Sequence, residues 1–115
     1  MEKFLFLFRG SDAGTSQQSP EEKQSHMQKW GIWIGRLAER GIFLAGDPIS
    51  KEGKMVNGGN KSVSDGPYKA NGESVGGYFI INARSIDEAV EISKDSPIFE
   101  FGGSVEVRQV VKSSV

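Results

Sequence analysis

The segment Lys3-Phe4-Leu5-Phe6-Leu7-Phe8-Arg9 puts three phenylalanines on one face of an extended chain and two leucines on the other, because successive strand side chains alternate. A strand that is apolar on both faces must be covered on both. Gly77-Tyr78-Phe79-Ile80-Ile81-Asn82-Ala83 has the same character. Two such strands belong in the middle of a sheet, with helices or another sheet on each side.

Helix signals follow each of them. Ser19-Pro20-Glu21-Glu22 supplies an N-cap serine, a proline at the first helical position and a glutamate at the third, the pattern of a capping box. At about 100° per residue, Met27, Trp30, Ile34, Leu37 and Ala38 share the inward face of this helix, and Gly41 ends it. Ile42-Phe43-Leu44-Ala45 is a short second strand, closed by Gly46-Asp47-Pro48. A second capping box, Ser85-Ile86-Asp87-Glu88, opens a helix with Ile86, Ala89, Val90 and Ser93 on one face, and residues 105–110 form the last strand. Eight of the fifteen glycines fall in the insertion 46–77. Within it, Lys54-Met55-Val56 and Lys61-Ser62-Val63-Ser64, joined through Asn57-Gly58, make a hairpin.

This order is that of an α+β, ferredoxin-like βαββαβ domain with a β-hairpin insertion and an antiparallel sheet. Its 115 residues suit one domain. Two helices cover one face of such a sheet, so the other face calls for a partner sheet, and a homodimer is the expectation.

Fourteen basic and fifteen acidic side chains leave a net charge of -1, which argues against direct nucleic-acid binding. Without cysteine there is no disulfide framework, thiolate zinc site or cysteine nucleophile. The run Phe4 to Phe8 is too short for a signal peptide or a membrane span, so no membrane association and a cytoplasmic location are expected. Gly59-Asn60-Lys61-Ser62 lacks the glycine that precedes lysine in a Walker motif, and no Gly-x-Gly-x-x-Gly occurs. No cofactor is expected, and one histidine without cysteine announces no metal site.

The chemistry therefore centres on His26, the single histidine, which shares a helix stripe with Trp30, Trp33 and Leu37. One reading is an acid–base imidazole beside an aromatic-walled cavity. The other is a histidine that packs on tryptophan and hydrogen-bonds locally. Asp47 and Asp65 lie in Gly-Asp-Pro and Asp-Gly-Pro, sequences that make turns unaided, or else carry a carboxylate that orients the imidazole. Gly31 and Gly35, one turn apart in the helix, imply close packing on the sheet or room for a ligand.

The tetrapeptide Asp65-Gly66-Pro67-Tyr68 resembles the DGPF branch of the YCII-related family. Ser19-Pro20-Glu21-Glu22, Gly41-Ile42-Phe43-Leu44-Ala45-Gly46, Gly76-Gly77-Tyr78-Phe79-Ile80-Ile81, Asp87-Glu88-Ala89 and Gly103-Ser104-Val105-Glu106-Val107-Arg108 resemble further family blocks, in order. The resemblance implies a dimeric α+β barrel, a histidine and aspartate proposed as a catalytic pair, and an association of DGPF proteins with extracytoplasmic-function sigma factors. In register with that pattern the family histidine falls at Trp30, one helical turn after His26. The tetrapeptide is followed by Lys69-Ala70-Asn71-Gly72-Glu73, where the family has Ala-Glu-Thr-Lys-Glu.

Two functions follow as expectations. In the first, a homodimer binds a small organic molecule and works on it without a cofactor: His26 is the acid or base, Asp47 or Asp65 orients it, and Trp30, Trp33, Gly66, Pro67 and Tyr68 line the ligand pocket. In the second, the chain is a non-catalytic binding or regulatory module, accessory to a sigma factor in transcription initiation.

Overall fold

The computed structural model describes residues 1–10 and 18–112; the polar loop expected between the first strand and the first helix falls largely outside them. The chain runs β1 (Glu2–Gly10), α1 (Pro20–Glu39), β2 (Phe43–Pro48), β3 (Lys54–Asn57), β4 (Ser62–Asp65), β5 (Ser74–Ala83), α2 (Ile86–Ser93), a 3-10 helix (Pro97–Phe101) and β6 (Ser104–Gln109). The main sheet has the order β2-β5-β1-β6, and its three pairings are antiparallel. The two strands apolar on both faces are thus the central ones, in a ferredoxin-like α+β arrangement.

Both faces of the sheet follow from alternation. Phe4, Phe6 and Phe8 of β1 and Phe79, Ile81 and Ala83 of β5 point to the helices and join Trp33, Leu37, Ile42, Ala89 and Ile92 in the core. Leu5 and Leu7 of β1 and Tyr78 and Ile80 of β5 point the other way and are half-buried. No helix among the described residues crosses to that side.

Helix α1 begins as expected: the Ser19 side chain accepts from the backbone N–H of Glu22, and the Glu22 carboxylate accepts from that of Ser19. It ends through the bonds Gly41 N–H to Ala38 O and Ile42 N–H to Leu37 O, with Gly41 at φ +69°, a left-handed cap. Its inward face differs from expectation. Trp33 and Leu37 are buried and Trp30 and Ile34 pack beside them, whereas Met27 is 67% exposed and Ala38 is exposed. The axis of contact follows the stripe 26, 30, 33, 37. Gly31 and Gly35 face open space, so neither close packing nor a ligand cavity under the helix accounts for them.

In α2, Ser85 caps Glu88 N–H, but the Glu88 carboxylate reaches back to Arg84, accepting from its backbone N–H and its side chain. Ala89, Ile92 and Ser93 are the buried positions, and Ile86 is 48% exposed.

The insertion holds the hairpin β3–β4 as a separate two-stranded sheet. Asn57 pairs with Ser62 and so belongs to the strand, leaving a four-residue loop rather than a two-residue Asn-Gly turn. The tight turn lies at the other Asn-Gly. Asn71 and Gly72 have φ +56° and +77°, and Ala70 and Glu73 exchange both backbone hydrogen bonds at 2.9 and 3.0 Å. Positive φ at both central residues is what a type I′ turn demands.

Candidate functional site

The geometry around His26 starts at the 3-10 helix. The Ser96 side chain accepts from Ile98 N–H, Pro97 fills the first helical position, and Gly103 follows its end. A Cβ at Gly103 would lie 2.7 Å from the Arg9 carbonyl and 2.9 Å from that of Ile98. Only glycine lets the 3-10 helix seat this closely on the end of β1. That seating brings Glu100 and Phe101 onto the side of α1.

There the His26 ring lies against Phe101 at a centroid distance of 4.3 Å and a tilt of 32°. Trp30, one turn later, donates its indole N–H to His26 Nε2 at 2.9 Å. An acceptor at Nε2 fixes the tautomer of the neutral ring, with its proton on Nδ1, and Nδ1 faces Glu100 Oε1 at 3.2 Å. The second Glu100 oxygen takes Lys29 Nζ. The hydrogen bond from Lys29 holds the Glu100 carboxyl below the usual glutamate range; partial desolvation opposes this and the His26 contact adds to it. Both ring nitrogens and both carboxylate oxygens are therefore committed within the chain. The cluster joins α1 to the 3-10 helix, and proton transfer at His26 Nε2 requires Trp30 to release that nitrogen. An open groove of about 500 Å³ runs beside it, bordered by Glu21, Glu22, Ser25, Lys29, Glu100 and Phe101.

The expected partners of His26 lie elsewhere. Asp47 is the cross-strand neighbour of Tyr78, and its Oδ2 accepts from the Tyr78 hydroxyl at 2.9 Å, on the face of the sheet away from α1. That hydrogen bond, helped by the negative charge of Asp47, raises the Tyr78 phenol above its usual value. Asp65 pairs across the hairpin with Lys54 at 2.6 Å, and its side chain is 92% exposed. The carboxylate that touches the imidazole is Glu100. Turn chemistry also accounts for the rest of the tetrapeptide: Gly66 N–H bonds the Gly53 carbonyl at 2.8 Å, Pro67 lies against Gly53, and Tyr68 is 64% exposed. These residues close the base of the hairpin.

Of the expected pocket walls, only Trp30 touches His26 directly. Trp33 is 5% exposed and stacks on Phe79 at 5.3 Å and 27°, so it is core. Sequence reasoning missed Glu100, Phe101 and Lys29. The one available signal is Ser96-Pro97, which repeats the capping pattern of Ser19-Pro20.

A second polar constellation lies on the open sheet face. Arg9 bonds Glu106 at 3.1 Å, and Arg108 meets the other Glu106 oxygen at 3.3 Å. The Arg9 hydrogen bond, then that of Arg108, pulls the Glu106 carboxyl below the usual range. Among the described residues no three metal-ligating side chains converge, and no helix is long and apolar enough to cross a membrane.

No curated protein matches the chain significantly. The model of the YCII-related domain matches residues 4–114, from the first phenylalanine of β1 to beyond the end of β6, and the chain belongs to the YCII-related family.

Proposed function

We propose that the chain is a homodimeric, non-catalytic binding module whose working surface is the open face of the sheet. The observation that carries this reading is the uncovered strip of Leu5, Leu7 and Ile80 at the centre of that face, fenced by Tyr78–Asp47 on one side and Arg9–Glu106–Arg108 on the other. A sheet face of this kind is stabilised when a second apolar face packs on it at about 10 Å. The engagement of both His26 nitrogens supports the non-catalytic side of the reading.

Sedimentation equilibrium tests it. The expected result is a dimer at about 50 μM, and a monomer for Leu7→Lys with an unchanged far-UV spectrum, since Leu7 points away from the core. A wild-type monomer at that concentration refutes the proposal.

A second reading keeps the enzyme, with Glu100 in the place assigned to an aspartate. The groove beside Glu100 and Lys29 favours it, and it requires Trp30 to release Nε2 so that His26 can act as base. A small-molecule screen by NMR separates the two. Ligands that shift the indole N–H of Trp30 and the His26 ring favour the enzyme, and ligands that shift Leu5, Leu7 and Ile80 favour the module.

A further inference from the structure

The His26 ring accepts a hydrogen bond on one side and donates one on the other, and only its neutral form can do both. Its side chain is 14% exposed, so neighbouring groups rather than bulk water satisfy it. Nε2 accepts from the Trp30 indole at 2.9 Å, which leaves the single proton on Nδ1, toward Glu100 Oε1 at 3.2 Å. A second proton removes the lone pair at Nε2 and sets two N–H donors against each other there. At Nδ1 the same proton turns a hydrogen bond into a charge-assisted pair with Glu100.

The charges around the ring come from two elements. On α1, Glu22 and Lys23 lie one turn before His26 and Lys29 one turn after it. The 3-10 helix contributes Glu100, whose other oxygen takes Lys29, and Glu21 borders the groove beside them. From β1 the nearby side chain is Phe8, which meets Trp30, while Arg9 is turned to Glu106 on the other face of the sheet. Glu100, held below the usual glutamate range by Lys29, keeps its charge where histidine titrates. The carboxylates favour the imidazolium, and the two lysines and the Trp30 N–H oppose it.

We infer that His26 and Trp30 form a proton-operated latch, in which the neutral imidazole holds the indole and protonation releases it while fastening α1 to the 3-10 helix through Glu100. The two rings are anchored in different places. The indole is bedded on Phe8, Trp33 and Phe79 at centroid distances of 4.9, 5.7 and 5.9 Å, and the imidazole lies on Phe101 at 4.3 Å. Release therefore parts the edge of the aromatic core from the 3-10 helix, within the range of about pH 5–8 in which histidine changes charge. The latch lies on the helical side of the sheet and does not depend on the homodimeric reading of the open face.

Nitrogen-15 NMR of the full chain between about pH 5 and 8 tests it, with the ring and both indole signals assigned in the wild type. At the alkaline end the ring should be the Nδ1-protonated tautomer. As it takes up its second proton, the Trp30 indole signal should move with the same midpoint and exchange with water about fivefold faster, the loss of one hydrogen bond, while that of Trp33 stays. Two variants read the coupling in opposite directions. Trp30→Phe takes the donor from the neutral ring and should move the His26 transition up by about 0.4–1 pH unit; Glu100→Gln takes the counter-charge from the imidazolium and should move it down by a similar amount. Far-UV circular dichroism checks that both are folded, and the wild-type signals decide without them. An Nε2-protonated ring at alkaline pH, or a Trp30 signal that holds still while the ring titrates, overturns the latch.

Discussion

Replacing Trp33 by alanine separates a core side chain from a pocket wall. Trp33 is 5% exposed and meets the rings of Phe6, Phe8, Trp30 and Phe79 at centroid distances of 6.5, 6.1, 5.7 and 5.3 Å. Truncation removes about 150 Å² of buried apolar surface, which at about 25 cal/mol per Å² is about 4 kcal/mol. Measured aromatic-to-alanine changes in cores fall at about 3–5 kcal/mol. A domain of this length holds about 6–17 kcal/mol in total, so the variant keeps a fraction of its stability. With an unfolding entropy of about 0.24 kcal/mol/K for this length, the melting temperature should drop by about 12–20 °C. Trp33→Phe retains most of the ring contacts and should cost about 1–2 kcal/mol. Urea unfolding followed by far-UV circular dichroism is the assay, because removing a tryptophan alters fluorescence by itself. A loss below about 0.5 kcal/mol for Trp33→Ala, the cost of a surface change, would show that the ring is not packed as described and would return Trp33 to the pocket.

Three further outcomes follow from the same geometry. Gly103→Ala forces a methyl group onto two backbone carbonyls at 2.7 and 2.9 Å, so the seat of the 3-10 helix must shift; amide hydrogen exchange should accelerate from residue 97 to 103 while β5 stays protected. The Glu100 carboxyl sits below the usual glutamate range, so its contribution is fully present above the unfolded value of about 4.3 and is lost as pH falls through the lower folded value; urea midpoints should fall with acid, and Glu100→Gln should flatten the fall. The Tyr78 phenol is raised by Asp47, so its contribution holds below the unfolded value and is lost as pH rises through the folded one; ultraviolet titration should show a late tyrosine that Asp47→Ala abolishes.

Much of the fold was legible because its signals are local. The alternation in β1 and the Ser19–Glu22 box depend only on near neighbours in the chain, and each appears where it was expected. The site was less legible for the opposite reason. His26 meets Glu100 across 74 positions, and only the seating of the 3-10 helix on β1 brings them together. Asp47 and Asp65 looked equally able to reach His26 in sequence. Alternation in β2 sends Asp47 to the far face, and the pairing of Lys54 with Asp65 holds the latter on the hairpin. Asn57-Gly58 reads as a tight turn because the dipeptide permits one, but strand register carries Asn57 into β3, and the two-residue turn falls at Asn71-Gly72, a pair the sequence reading passed over.

The position of β1 between β5 and β6 governs the order of assembly. Its ion pair Arg9–Glu106 closes a span of 97 positions, and every neighbour of β1 in the sheet comes from beyond residue 73. Long loops must close before these contacts repay the lost entropy. Helix α1 and the β3–β4 hairpin can form from local interactions, whereas the Phe-rich strand stays unpaired until β5 arrives and is completed only by β6. During synthesis, then, Phe4, Phe6 and Phe8 have no strand partner until residues 74–83 have been made, and a chaperone that holds this strand would cover apolar surface that the rest of the chain buries late.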